Sequence, residues 1–149
     1  MKDITGYFAV LVPDKASETI GVVFPDHPNV ITFGRDREQA VEMASEALNA
    51  VLEVEYDRHL PLPKPSPKPK AKSGQEVIFV PLDPEVRTAF LLRTWREESG
   101  LTQAQIAKRL GVSTPAYQRM ERPGCSNLTI ATLERVAAAL GKHLVLQLE

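Results

Sequence analysis

The chain has 149 residues, 43% hydrophobic and 25% charged, a composition that excludes a fibrous or wholly disordered protein and allows one ordinary domain or two small ones. No apolar run approaches the ~20 residues of a membrane span. The opening MKDITGYFAVLVPD is too polar, and its apolar run too short, for a secretory leader, so a cytoplasmic protein is expected. Cys125 is the sole cysteine, which excludes an intrachain disulfide and argues against a cysteine-based metal site; with three scattered histidines, neither metal nor cofactor is expected.

The net charge of −1 hides a division. Residues 1–60 carry 11 acidic and 5 basic side chains, 61–75 carry four lysines and no acid, and 76–149 carry 9 basic and 8 acidic side chains. An acidic front half is unsuited to nucleic acid, because phosphate contacts want Lys or Arg. It suits a basic protein partner; a solvated acidic surface is the simpler alternative.

Residues 4–12, ITGYFAVLV, are β-branched and aromatic and read as a strand closed by Pro13-Asp14. Residues 19–24 form a second strand and 30–33 a short third one with Gly34 as its exit. Short turns between them predict an antiparallel meander. Asp36 then reads as a helix N-cap, with Gln39 completing a capping-box pattern. Ala40, Val41, Ala44, Ala47, Leu48, Val51 and Leu52 follow at helical spacing, while Glu42, Glu46, Asn49 and Glu53 fall on the opposite face.

Prolines at 61, 63, 65, 67 and 69 exclude a helix or a sheet interior and predict an extended, semi-rigid segment kept solvated by lysines. A linker is the expected role, a proline-rich recognition motif the alternative. Residues 76–82, EVIFVPL, form a fourth strand, apolar on both faces and therefore buried between two surfaces. It either completes the front sheet or pairs with a second copy of the chain.

Helices are expected over 86–98, 103–110, 114–121 and 129–140, with Thr102, Ser113 and Thr129 as caps and Gly100, Gly111, Pro123-Gly124 and Gly141 as stops. The second and third share a tight turn containing Gly111, which is a helix-turn-helix arrangement. Ala107 is small where the pair crosses, and Ile106, Leu110, Val112, Tyr117 and Met120 hold it together. The rest of the third helix is polar (Ser113, Thr114, Gln118, Arg119, Arg122), the composition needed to read base edges and grip phosphates. Residues 113–122 are thus the expected major-groove element.

The stretch GLTQAQIAKRLGVSTPAYQRMER resembles the Xre/Cro-repressor class of helix-turn-helix domain, and the likeness extends over residues 86–142. The resemblance implies that Gln103 meets a phosphate, that Thr114, Pro115, Gln118 and Arg119 face the groove, and that Ser113 and Arg122 lie near the DNA backbone. It also implies an internal Arg96–Glu121 pair. Tyr117 departs from the usual branched aliphatic, and Pro115 stands where a hydrogen-bonding side chain is common. A domain this close to neutral needs oligomerisation for useful DNA affinity. The expected dimer contacts are the last helix and a strand over 143–148, which alternatively folds back on its own domain.

The front half resembles the HicB antitoxin family. The likeness rests on Phe24-Pro25-Asp26 with Pro28, Thr32 with Gly34, Glu38 to Ala40, Glu46-Ala47-Leu48, and the exit Leu62-Pro63 to Ser66. Asn29-Val30 stand where the family often has a pair such as Gly-Cys. The resemblance implies a partial RNase H-like unit, a small basic HicA-type ribonuclease toxin as partner, and repression of its own operon by operator binding. The toxin contact is expected from Pro25, Asp26, His27 and Asn29 and from Glu42 and Glu46. An RNase H site needs clustered carboxylates beginning on the first strand, and ITGYFAVLV offers none, so no catalysis is expected.

The resulting expectation is an α+β chain. A toxin-binding domain over 1–82 consists of an antiparallel sheet with one helix, including the 61–75 segment and the 76–82 strand. An all-α helix-turn-helix and dimerisation domain over 83–149 ends in a short strand. The competing function is a stand-alone repressor whose front domain senses a small molecule.

Overall fold

The computed structural model describes residues 4–124 and 127–148. Two compact units divide the chain, Met1–Arg87 and Thr88–Glu149. The first contains β1 (Gly6–Asp14), β2 (Thr19–Val23), β3 (Ile31–Gly34), α1 (Arg37–Asp57) and β4 (Glu76–Pro81). α2 (Pro84–Glu98) runs across the division, and α3 (Gln103–Leu110), α4 (Thr114–Met120) and α5 (Ile130–Ala139) follow. The chain is α+β, with an antiparallel sheet first and helices after it.

The sheet order is β3-β2-β1-β4, all neighbours antiparallel. β4 therefore completes the front sheet, entering beside β1 with Phe8 opposite Phe79. Side chains alternate across a pleat. Tyr7, Ala9 and Leu11 of β1, Val22 of β2 and Val80 of β4 point to one face and are buried there. Against that face lies α1 through Ala40, Ala44, Leu48, Leu52 and Tyr56. Leu48 and Leu52, fully buried, each contribute about 2 kcal/mol by area transfer.

Gly34 explains the close seating of α1 on β3. A Cβ there would stand 2.2 Å from the Ala40 amide nitrogen and 2.6 Å from Ala40 Cα. Only glycine admits that approach, and only a small residue suits position 40. At the helix start Asp36 accepts the Gln39 N–H at 2.8 Å, as a cap should. The reciprocal half of the expected capping box is shifted by one residue: Gln39 Oε1 accepts from the Arg35 N–H, at 2.8 Å.

Three expectations need correction. Asn49 does not join the solvent face; it is buried, donates to Ser45 O and accepts the Asp83 N–H at 2.9 Å. Its amide thereby satisfies a backbone donor that would otherwise be orphaned where the chain leaves β4. The fourth strand is not covered on both faces, since Phe79 remains 49% exposed. The strand expected over 143–148 does not form: residues 142–148 adopt no regular secondary structure, with Val145, Leu146 and Leu148 exposed. A strand needs a ladder partner, and none of the described residues supplies one.

Candidate nucleic-acid interface and partner-binding face

In the second unit every helix start after α2 is fixed by a hydroxyl. Thr102 accepts the Gln105 N–H while Gln105 Oε1 takes the Thr102 N–H, a complete capping box. Ser113 accepts the Ala116 N–H and Thr129 the Thr132 N–H. Gly111, at φ 70°, ends α3 in the left-handed region that glycine tolerates, so α4 starts within three residues. The unit's core is Leu92, Ile106, Ala107, Leu110, Tyr117, Val136 and Leu140, with Val112 and Met120 packed partly against it. Tyr117, the departure from an aliphatic residue, is fully buried there.

One buried ion pair ties the unit together. Arg96 grips Glu121 through two nitrogens, Nε to Oε2 at 2.8 Å and Nη2 to Oε1 at 2.6 Å, and Nη1 donates to Leu101 O at 3.0 Å. Glu121 is 1% exposed, and this bidentate contact raises the Arg96 pKa above its usual value. α2, the approach to α3 and the end of α4 are thus pinned at a single point. Glu121 serves the frame, which leaves Arg119 and Arg122 on either side of it exposed.

The polar residues singled out in the sequence lie together around α4. Pro115, Gln118, Arg119, Arg122 and Ser113 are exposed, and Thr114 and Gln103 are half-buried. Gln118 Nε2 donates to Gln103 Oε1 at 3.2 Å, joining the start of α3 to the outer face of α4. Pro115 occupies the first turn, where its missing N–H costs no helix bond. Arg109 and Arg135, unremarked in the sequence, are spoken for by backbone carbonyls, Ala139 O at 2.9 Å and Leu110 O at 3.0 Å. They hold α3 and α5 together.

In the first unit the 25–29 loop is organised from within. His27 is 3% exposed, its ring edge-on to Tyr7 at 4.3 Å between centroids, with Nδ1 3.9 Å from Glu55 Oε1. Among Pro25, Asp26, His27 and Asn29, the loop residues expected as contacts, it is the one buried within the chain. An imidazole packed on Tyr7 is a spacer for the loop, and burial lowers its pKa, opposed by the Glu55 and Asp26 carboxylates. Asp26 accepts both the N–H (3.0 Å) and the hydroxyl of Ser66, and Tyr7 Oη donates to Pro63 O at 2.8 Å. Hence the start of the proline-rich segment is strapped onto the loop rather than free. Burial is also the main reason the Tyr7 pKa is raised, with Asp26 and Glu55 adding to it.

Pro25 and Asn29 remain exposed on the loop, and Glu42 and Glu46 on α1. Glu38, Glu42 and Glu46 recur every four residues and, with Glu53, form no ion pair among the described residues. Like charges at this spacing cost the helix roughly 0.2–0.5 kcal/mol per pair. The helix start is tied elsewhere: Arg37 clasps Glu76 of β4, Nη2 to Oε1 at 2.6 Å, which lowers the Glu76 pKa.

Residues 6–87 match the family model described as the HicB_like antitoxin of bacterial toxin-antitoxin systems, more than half of the chain. The chain belongs to the HicB-like antitoxin family. Residues 92–147 match a helix-turn-helix family model, so this HicB-family chain ends in a DNA-binding domain. It is 35% identical over 130 residues to Antitoxin HicB 1 of Photorhabdus laumondii subsp. laumondii, spanning 86% of this chain and 77% of that protein. It is 31% identical over 127 residues to Antitoxin HicB 2 of the same bacterium, spanning 84% of each. No helix among the described residues is long and apolar enough to cross a membrane.

Proposed function

We propose that this HicB-family chain neutralises a small basic HicA-type ribonuclease toxin through its first unit and represses its own operon through its second. The observation that carries the toxin half is the unpaired carboxylate row of α1, Glu38, Glu42 and Glu46, kept exposed at a cost to the helix. A basic RNA-binding surface is its electrostatic complement. Pro25 and Asn29 of the loop, with Glu42 and Glu46, form the contact; Asp26 sets the loop by holding Ser66. His27 acts from inside.

The DNA half rests on Gln103, Ser113, Thr114, Pro115, Gln118, Arg119 and Arg122 around α4. Gln118 and Arg119 read base edges, and Gln103, Ser113 and Arg122 meet phosphates. Such domains read paired half-sites, so the chain acts as a homo-dimer or higher oligomer. We read the front unit as a binding module without catalysis, in keeping with its membership of an antitoxin family. The domain boundary falls near residue 87, and the protein works in the cytoplasm beside its operator.

The test is co-expression of the full chain with the small basic protein encoded beside it. That protein alone arrests growth, and the wild-type chain relieves the arrest. Glu42→Lys with Glu46→Lys, a doubly reversed charge on an exposed face, should abolish relief while operator binding persists. Relief undiminished in the reversed variant would place the toxin elsewhere on the chain.

A further inference from the structure

The sheet of the first unit has a second face that α1 does not reach. The register places Phe8, Val10, Val23, Ile31, Phe33 and Phe79 on it: Phe8 lies opposite Phe79, Val10 opposite Val23, and Val23 opposite Ile31. Phe8 and Phe79 are in edge contact, 5.4 Å between ring centroids. The remaining exposures are large: Ile31 80%, Phe33 63%, Phe79 49% and Val23 47%.

An antiparallel sheet with one wet face alternates apolar and polar residues along each strand. These strands do not. YFAVLV in β1, IGVV in β2 and VIFV in β4 carry no polar side chain at either phase, and β3 turns Ile31 and Phe33 to the outer one. Across the four strands the one charged residue at the outer phase is Asp14, at the far end of β1. Such strands have the composition of a sheet covered on both sides, and α1 covers one.

We infer that the open face is the seat of a second copy of this chain, the two sheets packing face to face about a two-fold axis. Charge decides between occupants. A basic toxin finds its complement on the α1 side, where the carboxylate row is, and loses hydration without compensation on a face whose centre carries no charge. An identical face, apolar at its centre, is matched to this one in chemistry, which is the condition for a two-fold contact. Area agrees. Taking ~150–250 Å² for a fully accessible aromatic side chain, the four most exposed residues present on the order of 450 Å². Two copies then bury about 900 Å², close to the ~1,000 Å² at which specific interfaces begin. The interface is separate from any contact made by the DNA-binding unit, and it is independent of the toxin assignment.

The experiment uses the full chain without any partner. The mass of wild type and of Ile31→Glu with Phe33→Glu is followed by sedimentation velocity from nanomolar to high micromolar concentration, with circular dichroism to check folding. The folded variant should lose one doubling of mass, its dissociation constant for that step rising at least tenfold. Equal masses across the range, or a wild-type chain monomeric at every concentration, would overturn the inference. A variant that loses toxin capture but keeps its wild-type mass would also overturn it, in favour of the toxin. Should the double variant not fold, Val23→Cys in a Cys125→Ser background is treated with a bismaleimide spanning the ~10 Å between packed sheets. Covalent dimers formed in dilute solution sustain the inference, and their absence overturns it.

Discussion

Ser66 donates two hydrogen bonds to the Asp26 carboxylate across 40 residues of sequence. The two residues belong to the two halves of the motif by which the front unit resembles its family, the FPD turn and the proline-rich exit. Their spatial contact gives that motif a physical reason: one carboxylate organises both the loop after β2 and the start of the 61–75 segment. Asp26→Asn, which weakens both bonds, should raise the exchange rate of the Ser66 amide and cost about 1 kcal/mol, and Ser66→Ala, which removes the hydroxyl bond alone, should cost less. Amide exchange and a urea transition together check this.

Glu121→Ala takes the buried carboxylate from Arg96 and leaves its half-buried guanidinium only the exposed Glu97, 3.7 Å away. Breaking a buried pair from one side costs about 3–5 kcal/mol, so the second unit should unfold at much lower denaturant than wild type. Arg96→Ala should behave similarly, and the double variant should be less damaged than the two losses added. A double-mutant cycle of denaturant transitions measures the coupling.

His27 is held neutral by burial, with Tyr7, Glu55 and Asp26 as the groups facing it. Its folded pKa lies below the ordinary 6.5. On acidification the unfolded chain takes up the proton first, so stability is full above pH 6.5 and falls as pH drops from there toward the folded pKa. His27→Gln should flatten that part of the stability curve, above the range where carboxylates titrate. Urea midpoints between pH 7.5 and 5 test the sign.

Gly34→Ala forces a methyl into the backbone of α1 at Ala40. Overpacking of this kind costs about 1–3 kcal/mol, and it should loosen the edge strand β3 before the rest of the sheet. The midpoint of unfolding and the exchange of β3 amides read the two effects.

Gln118→Ala should relax base preference at one operator position by about 1–3 kcal/mol. Arg122→Ala should instead weaken binding uniformly and lower the salt slope by about 1. Titration of operator and scrambled duplexes at several salt concentrations separates the two.

Local chemistry made much of this fold legible. Thr102, Ser113 and Thr129 each cap the helix they precede, and β-branched and aromatic runs closed by turn residues located the four strands, because caps and such runs depend on neighbours a few residues away. What escaped depends on distant partners. Asn49 falls at a helical phase that reads as exposed, yet the Asp83 amide draws it inward. His27 sits in a turn, where polar residues usually face water, but Tyr7 provides an edge to pack on. The 143–148 segment alternates like a strand and finds no ladder among the described residues. In the DNA-binding unit, the Gln103–Gln118 contact was not foreseen, although each residue was singled out.

The most direct test of the account is growth relief by a chain that cannot bind DNA. Full-length protein carrying Gln118→Ala and Arg119→Ala is co-expressed with the neighbouring basic protein, and relief is scored beside wild type and the Glu42→Lys, Glu46→Lys variant. Relief retained in the first variant and lost in the second is the predicted result, with neutralisation in one unit and operator reading in the other. Relief lost without DNA binding, or kept after the charge reversal, would contradict that separation of roles.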